Sequence, residues 1–285
     1  MSHQHLPQAA PERTGAPAPD TPAPPSGGPP ALSVRGLARV FGRPGTPEAK
    51  VAVDRVDLDV PRGSFFGLVG RNGAGKTTML SMATGLLRPT AGSARVAGVD
   101  VWAEPRRAKQ LMGVLPDGLH LFDRLTGRQL VTYAGLLRGM DRDVVAERTD
   151  DLLRAMDLTA DAGTQVQDYS AGMTKKIALA GALIHAPSLL VLDEPFESVD
   201  PVSAANIREI LHGFVSAGGT VVVSSHVMDL VQRMCDHVAV MDRGRVLAAG
   251  TVDAVRAGAT LEDRFVELVG GRRETGEGLP WLRPE

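Results

Sequence analysis

One short stretch constrains this chain more than any other. Gly70-Arg71-Asn72-Gly73-Ala74-Gly75-Lys76-Thr77 fits the phosphate-binding loop pattern G-x-x-x-x-G-K-[ST]. Glycines let the backbone curl so that its N–H groups point at phosphate oxygens, and the positive end of a following helix adds to the field. The contacts expected of such a loop fall on Gly70, Asn72, Gly73, Gly75, Lys76, Thr77 and Thr78. Lys76 has the reach for the β- and γ-phosphates, and the Thr77 hydroxyl suits Mg²⁺. The apolar run Ser64–Val69 enters the loop as a strand. This context separates it from a glycine-rich turn that happens to end in Lys-Thr.

A second acidic feature lies downstream. Leu189–Asp193 is an apolar strand that ends in the pair Asp193-Glu194. A carboxylate at the C-terminal end of a strand sits where nucleotides bind in open α/β sheets. Asp193 suits Mg²⁺, and Glu194 suits the orientation or deprotonation of an attacking water. Alone, such a pair is a common solvated strand end; after a phosphate loop it belongs to the same chemistry.

The pattern around these motifs alternates. Val56, Leu58 and Val60 have the period of a half-buried strand, and residues 92–101 read as a hairpin across Gly98. From about 104 to 185 the spacing is helical, as in Leu130, Tyr133, Ala134 and Leu137, and in Val145, Thr149, Leu152, Leu153 and Met156. Asp200-Pro201 starts a helix faced by Ile207, Ile210, Leu211 and Phe214. Thr220–Ser224 is a strand, and Asp242-Arg243-Gly244 turns a hairpin. Strands that alternate with helices imply a mostly parallel sheet.

Composition closes several other routes. Among 285 residues there are 31 Lys and Arg against 33 Asp and Glu, a formal charge of −2. That lacks the basic excess of a protein built to grip nucleic acid, so none is expected as a partner. One cysteine, Cys235, excludes an internal disulfide framework or a multi-cysteine zinc site. No apolar run reaches the roughly 18–20 residues that span a bilayer, and no signal pattern opens the chain. A cytoplasmic chain is expected, acting on a membrane only through a partner. Residues 1–30 are rich in Pro, Ala and Gly and are expected to form a disordered tail.

Tyr169-Ser170-Ala171-Gly172-Met173 precedes the acidic pair. As an isolated string it would cap a helix. In this order and spacing it resembles the LSGGQ signature of ABC ATPases, in the tyrosine-first form common among exporters. Asp200 in Ser198-Val199-Asp200 resembles the D-loop, and His226 after Ser224-Ser225 resembles the switch histidine. Phe41 resembles the aromatic that stacks on adenine, although residues 43–50 look inserted and plain core packing is the alternative. The resemblance runs from about Leu32 to Gly270.

It implies an α/β P-loop NTPase fold of ABC type. A mixed sheet core would carry a β-rich N-terminal subdomain and an inserted helical subdomain over about 104–185. The ATPase domain would span 31–270, with a C-terminal tail over 271–285. The implied activity is ATP hydrolysis with Mg²⁺. The protein would be the ATP-binding subunit of a transporter, peripheral on the inner face of the membrane. Its implied partners are a polytopic permease and a second ATPase subunit, identical or not. In such a dimer Ser170 and Gly172 would face the phosphate loop of the other subunit, Asp200 would also contact nucleotide, and Lys76, Glu194 and His226 would be catalytic. Thr260–Phe265 resembles a short C-terminal helix of exporter subunits whose permease is a separate chain.

Three departures bear on turnover. Asp117 stands where Gln is usual and can bind Mg²⁺ or its water, but donates no amide hydrogen bond. Ala171 stands where Gly is usual, and Phe196-Glu197-Ser198 replaces Thr-x-Gly. Two other classes compete with the transporter reading. One is a soluble ABC ATPase of translation or DNA maintenance, against which stand a single cassette and no coiled-coil insert. The other is a weakly hydrolysing regulatory module.

Overall fold

The computed structural model describes residues 28–43, 46, 49–118 and 120–271. The tails expected over 1–30 and 271–285 lie outside these residues, apart from 28–30 and 271. The chain opens with β1 (Leu32–Phe41), β2 (Lys50–Val60) and β3 (Phe65–Val69). After α1 (Lys76–Ala83) come the hairpin β4 (Ala91–Val96) and β5 (Val99–Asp100), then α2 (Pro105–Leu111) and β6 (Met112–Leu115). Three helices follow: α3 (Gly127–Leu137), α4 (Arg142–Ala155) and α5 (Ala171–Leu183). The strands β7 (Leu189–Asp193) and β8 (Thr220–Ser225) flank α6 (Pro201–Ser216). Next are α7 (Met228–Met234), β9 (His237–Asp242) and β10 (Arg245–Thr251), and the short helices α8 (Val252–Arg256) and α9 (Leu261–Leu268) close the described chain.

Two sheets result. The first is antiparallel, in the order β2-β1-β4-β5. The second has the order β10-β9-β3-β8-β7-β6, parallel from β9 to β6 with β10 antiparallel at its edge. β3 is buried at every position because both of its faces are covered. Phe65 and Val69 pack with the helices on one side. Phe66 and Leu68, which alternate with them, pack with α1 and the first sheet on the other.

The span expected to be helical, about 104–185, also contains a strand. Met112–Leu115 forms β6 and pairs parallel with β7, Met112 opposite Leu189. Four apolar residues cannot be told from a buried helix turn by periodicity alone; the partner that makes them a strand lies far along the chain. The remainder is helical, and α3 begins with a reciprocal cap between Thr126 and Gln129. Its Leu130 is buried, whereas Tyr133 and Leu137 on the same expected face are exposed. Among the described residues, no helix is long and apolar enough to cross a membrane.

His185 links the helical block to this sheet edge. Its Nε2 lies 3.1 Å from the Met112 carbonyl. Burial, and then the nearby Arg138 charge, push its pKa down to about 4 from 6.5. A histidine that resists protonation when folded but not when unfolded stabilises the fold fully above its unfolded pKa. That stability falls as pH drops from about 6.5 toward about 4, because the unfolded chain then binds the extra proton. Urea midpoints measured across this window should fall with pH, and His185→Gln should flatten the slope.

Candidate functional site

The phosphate-loop residues form a tight connection between β3 and α1. Gly73 and Gly75 have φ of 81° and 102°, in the left-handed region that suits glycine. A Cβ on Gly75 would lie 2.4 Å from the Ala52 carbonyl oxygen, so the loop closes onto β2 only because that carbon is missing. The tip of the β9–β10 hairpin braces the loop: Gly244 N–H donates to the Ala74 carbonyl at 2.8 Å, and Asp54 N–H donates to the Gly244 carbonyl at 2.9 Å. Arg245 holds Asp54 Oδ2 through two nitrogens at 2.9 and 2.6 Å. That guanidinium also keeps the Asp54 carboxyl below its usual range.

Lys76, the first residue of α1, folds its side chain back over the loop. Its Nζ donates to the Gly70 carbonyl at 2.8 Å and to the Arg71 carbonyl at 3.4 Å. It lies 3.5 Å from Glu194 Oε1, with the two side chains only 6% and 11% exposed. The other Glu194 oxygen is 3.2 Å from His226 Nδ1. An ion pair with so little access to water is weakly screened, and removing one member strands the other.

Glu194 is fixed from behind as well. Asp193, at the buried end of β7, accepts a short hydrogen bond from the Ser224 hydroxyl of β8. The same hydroxyl accepts from Glu194 N–H at 2.9 Å. Lys175 of α5 donates to the Glu194 carbonyl at 3.2 Å. Glu194 itself has φ 46°, a left-handed conformation unusual for a side chain of its size and held by these contacts.

An open cleft of about 580 Å³ lies over the loop. Phe41, Asn72, Gly73, Gly75, Lys76, Thr77, Thr78, Asp117, Glu194 and His226 all line it, although they come from distant parts of the chain. The volume suits a small-molecule ligand. Gly70 and Asp193 are not among the lining residues; Gly70 anchors Lys76 through its carbonyl, and Asp193 is buried. Lys50, Glu197 and Arg243 also line the cleft and were not singled out as site residues in the sequence. Neither were Ser224 and Lys175, which set the position of Glu194. Glu197 offered a signal, an acidic side chain three residues after Glu194. The roles of Ser224 and Lys175 exist only once β8 and α5 are in place.

Ser170, Gly172 and Asp200 lie outside the cleft lining and come together with one another. Ser170 caps α5, accepting from Met173 N–H at 3.2 Å, and Tyr169 anchors the turn by donating its hydroxyl to the Asp161 carbonyl at 2.8 Å. Asp200 caps α6, accepting from Val202 and Ser203 N–H at 3.1 and 2.9 Å. The Ser203 N–H and hydroxyl hold its carboxyl below its usual range. A Cβ on Gly172 would meet Ser203 Oγ at 2.6 Å and Asp200 Oδ2 at 2.7 Å, so the two helix starts abut at that glycine.

Of the three metal ligands expected from the sequence, Thr77 and Asp117 line the cleft, whereas Asp193 is buried and outside its lining. One Asp117 oxygen accepts from Gly118 N–H at 2.8 Å, and one Asp193 oxygen is held by Ser224; each carboxylate keeps another. Hard oxygen donors fit Mg²⁺, which retains waters and leans on substrate phosphates. Among the described residues, no three His, Cys, Asp or Glu side chains form a cage by themselves.

A family model described as "ABC transporter" matches residues 53–197. The chain is 32% identical over 220 residues to the linearmycin resistance ATP-binding protein LnrL of Bacillus subtilis, covering 77% of this chain and 69% of that protein. It is 35% identical to the daunorubicin/doxorubicin resistance ATP-binding protein DrrA of Streptomyces peucetius, covering 80% of this chain and 67% of that protein. It is 36% identical to the Nod factor export ATP-binding protein I of Cupriavidus metallidurans, covering 77% and 70%. A solved structure of an ATP binding subunit of an ABC transporter superposes with TM-score 0.76 at 27% identity, over 84% of this chain and 99% of that one. A dimeric cassette, MJ0796 bound to ADP and Pi, shares the fold with TM-score 0.71 at 20% identity, over 78% and 98%.

Proposed function

The chain belongs to the ABC transporter family of ATP-binding proteins, and from that premise we propose that it hydrolyses ATP to drive an exporter whose permease is a separate chain. The observation that carries this reading is the contact of Lys76, Glu194 and His226 beside the phosphate loop. The fold, the family match and the names of the relatives, one of Nod factor export and two of drug resistance, support it.

In the proposed mechanism the adenine rests against Phe41, and the N–H groups of the loop through Thr78 receive the phosphates. Lys76 and His226 leave Glu194 and turn to the phosphoryl oxygens. This exchange releases the carboxylate to accept a proton from the attacking water. Ser224 and Lys175 keep the Glu194 backbone still meanwhile. When bound, Mg²⁺ would be held by Thr77 with Asp117 and Asp193, and it supplies charge neutralisation at the phosphate oxygens. Ser170, Gly172 and Asp200 would complete the site of a second subunit from across a dimer. Helix N-termini suit that role because their N–H groups favour phosphate.

The partner decides the reading. The tagged full chain, recovered from its own host's membranes in mild detergent, should bring down a polytopic membrane protein. Recovery of ribosomal or DNA-associated proteins alone would overturn the transporter role.

A further inference from the structure

Phe41, the last residue of β1, is 40% exposed and lines the cleft. The residue two positions earlier on β1 holds its ring. Arg39 shares a strand face with Phe41, and its guanidinium carbon lies 4.7 Å from the ring centroid. One guanidinium nitrogen donates to the Arg88 carbonyl at 3.0 Å, which ties the group to the loop before β4. Its Nε is buried and has no hydrogen-bond partner among the described residues, which leaves the π-face of Phe41 as the electron-rich surface beside it. Thr90 adds a second tie at this point, its hydroxyl accepting from Val40 N–H at 3.1 Å. Arg39 is not part of the cleft lining, whereas Phe41 is.

We propose that Arg39 is a positioning residue for the nucleobase: it backs one face of Phe41 and presents the other to the base. This rests on the nucleotide-binding reading of the cleft. An exposed aromatic ring that must find its orientation when a base arrives loses affinity to that ordering. A ring already clamped by a cation does not. The cation–π contact at such a site corresponds to about two- to fivefold in binding, and base–aromatic stacking itself to more. Arg39 has no route to the phosphates in this arrangement, so its effect is confined to ligands that carry a base.

The test compares two ligands on the full chain by titration calorimetry with Mg²⁺ present: ATP, and inorganic tripolyphosphate, which has the phosphates and no base. Arg39→Leu should weaken ATP about two- to fivefold and leave tripolyphosphate unchanged. Arg39→Lys, which keeps a cation over the ring, should recover most of the loss. In a Phe41→Leu background, Arg39→Leu should add nothing further, since the ring through which it acts is gone. Unchanged ATP affinity in Arg39→Leu would overturn the proposal. So would an equal loss for both ligands, or an undiminished effect without Phe41. A wild-type chain that binds neither ligand would instead overturn the nucleotide-binding reading beneath it.

Discussion

Glu194→Gln should reduce ATP turnover by about 10²–10⁴-fold, the usual worth of a positioned base, while nucleotide binding becomes tighter. The two effects share one geometry. Glutamine keeps the size of the side chain and its place after β7, but it cannot take a proton from water at neutral pH. It also ends the ion pair with Lys76 at 3.5 Å. Lys76 is 6% exposed, and without the carboxylate its charge has only the Gly70 and Arg71 carbonyls to meet. A buried cation left in that state gains more from an arriving phosphate than one already paired. Steady-state phosphate release and equilibrium binding of a non-hydrolysable ATP analogue therefore move in opposite directions. Near-normal turnover would remove Glu194 from the catalytic role, and weaker binding would show that it helps hold the nucleotide.

Gly75→Ala should abolish nucleotide binding and lower stability by at least about 2 kcal/mol. The left-handed backbone, φ 102°, costs a side-chain-bearing residue about 1–2 kcal/mol. The new methyl would also lie 2.4 Å from the Ala52 carbonyl oxygen, which is backbone in β2 and has little freedom to retreat. Gly73→Ala is the internal comparison. Its φ is 81°, but nothing lies within 4 Å of the added carbon, so only the backbone cost applies. Thermal unfolding and calorimetric binding on both variants separate strain from collision. If the two behave alike, the contact with β2 does not hold the loop in place.

Several parts of the site were legible because their chemistry is local. The phosphate loop is one continuous segment, and its glycines and Lys76 announce the turn, the helix start and the ligand class together. The starts of α5 and α6 were readable from Ser170 and from Asp200-Pro201, since caps are made within three residues. What was not legible depends on contacts between distant segments. β6 is a strand only because β7 lies beside it. Ser224 reads as the last polar residue of an apolar strand until folding sets it between Asp193 and the Glu194 backbone. Arg39 reads as an ordinary basic residue in an alternating strand until its guanidinium is found over Phe41. Helical spacing at Leu130, Tyr133 and Leu137 specifies a face of α3 but not whether anything covers it, and the last two are exposed.

The position of β3 in its sheet also sets a timetable for synthesis. Both of its neighbours, β8 and β9, are made much later. The hydrogen bond from Gly63 N–H to Thr220 Oγ1 spans 157 residues, and that from Phe65 N–H to the Asp236 carboxylate spans 171. At ribosomal rates, such intervals take on the order of 10–30 s. For that time the nascent chain carries Phe65–Val69 with both edges unpaired, a segment suited to pairing with another copy of itself. ATP cannot relieve this exposure early, because Glu194 and His226 are not yet in place around the loop. Chains released before β8 emerges should aggregate, whereas the finished chain encloses the same five residues completely.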